Sequence, residues 1–186
     1  GNLNFLLNFF NKTTKFLTFG TSSAYYIKLS GRQNDKKIIG FYSCYMFLLC
    51  VLVVLLTIGV KQFGFSDILW PDQQMKLVYA AAVLSLMSFI SNIIRQTSDA
   101  FGLTVKNEFF FIIQSVLGML FTLSLYHFNI LDLQSYFIYN YGLFAFVIFG
   151  GLIIIKKKGV FQKSTFILSK IKYKEYLLEF YDYSHP

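Results

Sequence analysis

Ile38 to Val60 reads IIGFYSCYMFLLCVLVVLLTIGV, 23 residues without a charged side chain. A hydrocarbon layer about 30 Å thick is crossed by roughly 20 helical residues rising about 1.5 Å each. This run is therefore long enough to span. Helix is the element that fits, because an open strand in lipid leaves its backbone groups unpaired. The run also lacks the alternation of a membrane barrel strand. Three similar runs follow: Leu77–Ile94 with 18 residues, Phe109–Tyr126 with 18, continuing to Ile130, and Leu133–Ile155 with 23. The whole chain of 186 residues is 55% hydrophobic and only 14% charged, well below the charge of a water-soluble domain.

A fifth span is expected over 3–28, although Lys12 and Lys15 interrupt it. The reading is thus an all-α, polytopic transmembrane helix bundle over 1–160, with spans near 3–28, 38–60, 75–99, 107–130 and 133–155. The segment 161–186 is expected to be a cytoplasmic linker with an amphipathic helix leading to a missing span. In that helix Tyr173, Leu177, Phe180 and Tyr181 form one stripe, and Lys172, Glu175, Glu179 and Asp182 the opposite one. Pro186 is placed in the first turn of a further helix. No signal peptide is evident. With its start at Gly1 and its end straight after a charged stretch, the chain is expected to be a fragment of a longer parent.

The net charge of +8 is unevenly distributed. Lys28, Arg32, Lys36 and Lys37 fall between the first two spans, and Arg95 and Lys106 beside the third connection. Lys156, Lys157, Lys158, Lys163, Lys170, Lys172 and Lys174 follow the last span, whereas the turn at Asp132 carries no Lys or Arg. The positive-inside rule places the loop after the first span, the third connection and the tail on the cytoplasmic side. Charges that flank spans serve orientation and anionic lipid, so membrane lipids and not nucleic acid are the expected partner.

Two polar stripes run through the apolar background. Asn4, Asn8, Asn11, Lys12, Lys15 and Ser22 share one face of the first helix, and Ser85, Ser88, Asn92, Arg95, Gln96 and Asp99 one face of the third. A lysine facing lipid near the bilayer centre costs roughly 3 kcal/mol or more. The two stripes are therefore expected to line a common hydrated cavity in which Asn8, Lys12, Lys15, Asn92 and Arg95 receive an anion. The plainer alternatives are lysines that snorkel to the interface and an Arg95 that only signals topology. Arg95 and Asp99 are one turn apart and are expected to pair.

Other features read as structural. Gly150-Gly151, Gly142, Gly118 and Gly59 permit close helix contact, and Gly102 stands where a helix should stop. Tyr25-Tyr26, Trp70, Tyr136, Tyr139 and Tyr141 read as interfacial aromatics. Cys44 and Cys50 read as small apolar fillers. No metal spacing and no cofactor motif is present, and neither His127 nor His185 is given a catalytic role. Asp99 and Glu108 share one turn, but no acidic or His-rich motif accompanies them, so an enzyme is not expected.

The stretch Phe19-Gly20-Thr21-Ser22-Ser23-Ala24-Tyr25-Tyr26, with the basic loop Asn34-Asp35-Lys36-Lys37, resembles the second span and first cytoplasmic loop of polysaccharide flippases. These belong to the MATE-like multidrug/oligosaccharidyl-lipid/polysaccharide exporter superfamily. The tail from Glu175 to Pro186 resembles the linker into their seventh span, so the likeness covers essentially the whole chain as an N-terminal-lobe fragment. The resemblance implies a transporter of the bacterial inner membrane that flips undecaprenyl-pyrophosphate-linked oligosaccharide by alternating access, for surface polysaccharides such as lipopolysaccharide O-antigen. It also implies a missing C-terminal lobe in the same parent chain. Lys12, Lys15 and Arg95 would be counterparts of a cation-lined cavity. Two rivals remain: a membrane-embedded structural subunit of a larger complex, for instance a respiratory one, and a drug or ion antiporter of the same fold.

Overall fold

The structure is a computed structural model that describes residues 2–18, 20–130, 132–160 and 170–184, and among them every regular element is a helix. In chain order these are α1 (Asn2–Thr18), α2 (Thr21–Gly31), α3 (Lys37–Gln62), α4 (Ser66–Leu69), α5 (Met75–Ala100), α6 (Thr104–His127), α7 (Leu133–Lys157) and α8 (Lys170–Ser184). The protein is an all-α bundle whose helices α3, α5, α6 and α7 are each long and apolar enough to cross a membrane. The linker 161–169, Lys163 within it, Pro186 and the side chains of Lys170, Lys172, Tyr181 and Asp182 lie outside the described residues.

The stretch 3–28, expected as one span, is two helices. Gly20 adopts a left-handed backbone with φ of +75°, and its carbonyl accepts the amides of Ser23 and Ala24 that open α2. A side chain at that φ is strained, which is why glycine marks the break. At the C-terminal end of α5, Gly102 (φ +69°) does stop the helix, with Leu103 N–H donating to the Ser98 carbonyl at 2.9 Å.

Helix α5 is the axis of the bundle and packs on α1, α2, α3, α6 and α7. Its small residues allow this, with Ala81, Ala82, Ser85 and Ser91 all buried. Helix α7 approaches just as closely: a Cβ added at Gly151 would overlap Ile94, and one at Gly150 would overlap the Phe110 ring. Gly142 and Gly59, expected to serve the same purpose, face open space. Helix α6 is peripheral, with none of its most apolar 18-residue stretch buried.

Apolar packing concentrates in two clusters. One holds Tyr25, Leu29, Ile38, Tyr42, Ile93, Ile155 and Phe180. The other holds Leu6, Phe10, Val53, Trp70, Val78, Leu84 and Phe137. Two residues expected at the interface therefore sit in the core. Tyr25 stacks on Tyr42 with ring centroids 4.2 Å apart and its hydroxyl meets Thr97 Oγ1 at 2.7 Å. Trp70 packs on Phe9 and Phe10 at 5.7 and 5.9 Å. Threonines inside the bundle satisfy their hydroxyls on their own helices, as Thr14 does on Phe10 O (2.8 Å) and Thr57 on Val53 O (2.8 Å).

The basic connections gather at one end. Gln33 Nε2 donates to the Ala100 carbonyl (2.6 Å), and Lys36 Nζ donates to the Gly159 carbonyl (2.7 Å). The α2–α3 loop thus touches both the end of α5 and the end of α7. Helix α8 docks at the same end, against α2 and α3. Its inward face differs from the expected stripe. Tyr176 and Phe180 are buried and Tyr173 packs on Phe41, whereas Leu177 is exposed. Glu179, expected on the outward face, binds Lys28 Nζ at 2.7 Å and Arg32 Nη1 at 3.3 Å. Two cations within reach turn that carboxylate inward, and Tyr176 follows it by donating to Asp35 Oδ2 (2.5 Å).

The Lys28 hydrogen bond holds the Glu179 carboxyl below its usual range. Its contribution to docking of α8 is complete above the ordinary carboxylate value of about 4.3 and is lost as the pH falls through the lowered one. At neutral pH, Glu179→Gln should raise the rate of proteolysis within α8 about two- to fivefold, the range for partly exposed ion pairs. Equal cleavage rates in variant and parent would show that the pair does not hold the helix.

Candidate functional site

All six residues of the α5 polar stripe, Ser85, Ser88, Asn92, Arg95, Gln96 and Asp99, line a single cavity of about 440 Å³. Asn11, Thr14, Lys15 and Thr18 of α1 and Ser22 of α2 form the opposite wall. Phe89 and Ile93 are the apolar members of the lining. The Gly20 break lies between Thr18 and Ser22, so the two segments that flank the turn present polar groups to the same space.

The rotation of α1 follows from its apolar residues. Leu6, Phe10, Thr14 and Thr18 recur every four residues and are all buried, so this row faces the bundle. Asn11 and Lys15 stand one position further round and border the cavity. Asn8 and Lys12 stand two positions round, about 200° away at 3.6 residues per turn. They are exposed on the outer face and do not line the cavity. Of the residues expected to receive an anion, Lys15, Asn92 and Arg95 are thus brought together, and Asn8 and Lys12 are not. Thr14 and Thr18 join the wall without having been singled out. Their signal was the spacing of three and seven from Asn11, masked by counting threonine as neutral background.

Hydrogen bonds join the walls. Ser85 Oγ donates to Asn11 Oδ1 (2.8 Å), tying α5 to α1. The Tyr25–Thr97 contact ties α5 to α2. Arg95 does not pair with Asp99. Its Nε lies 2.6 Å from Glu108 Oε1 on α6, and its guanidinium stacks 5.0 Å from the centre of the Phe111 ring. The turn at Gly102 folds α6 back beside α5, bringing Glu108 within reach. Asp99 Oδ1 and Gln96 Oε1 are buried without a protein hydrogen-bond partner. Lys15 forms no ion pair among the described residues.

The cavity therefore offers a lysine, an arginine whose charge is shared with Glu108, a carboxylate and several neutral amides and hydroxyls. Such a set is suited to a polar, charged group held by many weak contacts. Among the described residues, no three His, Cys, Asp or Glu side chains come together as a metal site. Comparison of the chain with family models, with curated proteins and with solved structures finds no match.

Water access to this space is directly testable. With Cys44 and Cys50 replaced by alanine, Ser88→Cys and Asn92→Cys should react with a membrane-impermeant maleimide at least about tenfold faster than Leu55→Cys on the outer face of α3. A thiol in apolar surroundings is held protonated and unreactive. Comparable rates at all three positions would exclude a hydrated cavity.

Proposed function

We propose that this chain forms part of the substrate path of a multi-pass membrane transporter that moves an amphipathic, phosphate-bearing substrate of the lipid-linked oligosaccharide type. The observation that carries the reading is the polar cavity between α1, α2 and α5. A helix that crosses lipid gains nothing from about four successive turns of polar stripe unless the stripe has a job, since each polar group there needs a partner or water. The bacterial inner membrane and the undecaprenyl pyrophosphate carrier belong to this proposal through the flippase resemblance.

Within it, Lys15 supplies the standing positive charge and Asn92 a neutral hydrogen-bonding amide. Arg95 is held in reserve by Glu108. An entering phosphate competes with that carboxylate, and Arg95 turns from α6 toward the cavity when the phosphate wins. The outer face of α1 supports the same reading. Asn4, Asn8 and Lys12 are exposed there, and a lysine facing lipid is costly, so this face adjoins water or further polar protein. In a two-lobed transporter that neighbour is the other lobe.

One observation favours a second reading, antiport of a drug or ion on the same fold. Asp99 brings a buried carboxylate oxygen without a protein partner into the cavity, suited to holding a cation.

Binding of undecaprenyl pyrophosphate to the protein in nanodiscs, followed by native mass spectrometry with undecaprenol as the neutral control, separates the two. Lys15→Gln should weaken binding about tenfold, the worth of one charged hydrogen bond. Glu108→Gln should strengthen it, because Arg95 is released. If Lys15→Gln and Arg95→Gln both leave binding unchanged while Asp99→Asn abolishes uptake of a cation, the antiport reading takes its place.

A further inference from the structure

A second and larger cavity, about 1270 Å³, runs between α6 and α7 on the outside of the bundle. Its walls are Phe109, Phe110 and Ile112 of α6 and Phe146, Phe149 and Ile153 of α7. Its floor is fixed by Gly150, whose missing side chain lets the Phe110 ring lie against α7. Phe110 in turn packs on Phe146 with ring centroids 5.4 Å apart. At one end of this greasy trough stand Lys106, Lys157 and Lys158. None of the three has an ion-pair partner among the described residues. The one carboxylate on the rim, Glu108, is already engaged by Arg95 at 2.6 Å.

We infer that this groove is a binding site for an anionic phospholipid of the leaflet at the basic end, with an acyl chain lying along the aromatic trough and the phosphate headgroup held by Lys106, Lys157 and Lys158. Length supports it. From Phe146 to Lys158, α7 rises about 18 Å, close to the depth of one leaflet, half of a hydrocarbon core of about 30 Å. The trough therefore begins near the bilayer middle and ends at the headgroup level. Charge supports it as well. Three lysines without an ion-pair partner among the described residues repel a basic helix and attract an anionic headgroup. The aromatic wall is exposed, with Phe109 at 61% and Phe149 at 65%, so a chain can enter sideways from the bilayer. The site meets the cavity lined by Lys15 and Asn92 only at the Arg95–Glu108 pair, and its test does not depend on what that cavity carries.

The test uses the protein in nanodiscs of brominated lipid. The added fluorescence of a Phe149→Trp variant is read after subtracting the parent signal, which comes from Trp70 at the far end of the bundle. Ile153→Trp serves as a second reporter should the first variant misassemble. Brominated phosphatidylglycerol should quench the reporter with an apparent affinity more than tenfold above that of brominated phosphatidylcholine, since each lysine contributes up to about fivefold. Replacing Lys106, Lys157 and Lys158 together by glutamine should bring the two lipids to parity, and Lys158→Gln alone should remove about fivefold. Equal quenching by the two headgroups in the Phe149→Trp protein with its lysines intact overturns the inference. So does a preference that survives the triple replacement. Absence of quenching by either lipid overturns it too, because the groove is then covered by protein, such as a second copy of the chain.

Discussion

The arrangement of this bundle depends on one constraint: the polar stripe of α5 cannot face hydrocarbon. Six polar side chains along one face of a helix 26 residues long set its rotation about its own axis. Once that face points inward, α1 and α2 must meet it with polar groups of their own, and they do so with Asn11, Thr14, Lys15, Thr18 and Ser22. The remaining surface of α5 is then free to be small and apolar, which lets α7 pack against it through Gly151. Loss of the stripe would remove the reason for α1 and α2 to lie where they do, since α1 otherwise holds α5 mainly through Leu6 and Phe10.

The Arg95–Glu108 pair occupies a particular position in this scheme. Arg95 belongs to the lining of the polar cavity and Glu108 to the rim of the apolar groove. The pair is therefore the shared boundary of two spaces with opposite solvent character. It is only partly exposed, at 45% and 32% of the two side chains. An ion pair in that setting persists because each partner would otherwise stand unneutralised beside apolar walls, rather than because the pair itself adds much stability. It can accordingly be exchanged for another anion of equal charge at small net cost, which is what the proposed substrate path asks of a residue that also closes a wall.

Much of this was legible in the sequence. Long uncharged runs report the membrane directly, because the bilayer has a fixed thickness and helices a fixed rise. The α5 stripe was legible because its members recur with helical spacing in an otherwise apolar run. The α1 face was only half legible. Lys12 and Lys15 look alike as letters, and which one faces inward is decided by the buried row Leu6, Phe10, Thr14 and Thr18, a property of packing. The partner of Arg95 was hidden for the same kind of reason. Asp99 is one turn away on the same helix, but Glu108 is brought closer by the turn at Gly102, and sequence distance does not report a helix reversal. Trp70 and Tyr25 were misplaced because aromatic residues near span ends serve equally as interfacial anchors and as core, and only their neighbours decide.

The basic end of the bundle shows how topology signals become structure. Lys28, Arg32 and Lys36 are the residues from which the sequence reading takes its orientation, and in the folded protein each makes a specific contact: Lys28 and Arg32 with Glu179, and Lys36 with the Gly159 carbonyl. These contacts join α2, the end of α7 and α8, elements far apart in sequence. Among the described residues, Lys106, Lys157 and Lys158 make no such ion pairs, and they stand at the mouth of an apolar groove. A residue that serves only to orient a loop has no reason to sit at the end of a trough one leaflet deep. The basic residues are thus divided between those that contact helix α8 or the end of α7 and those left at the groove. The first group closes the end of the bundle, and the second addresses the membrane around it.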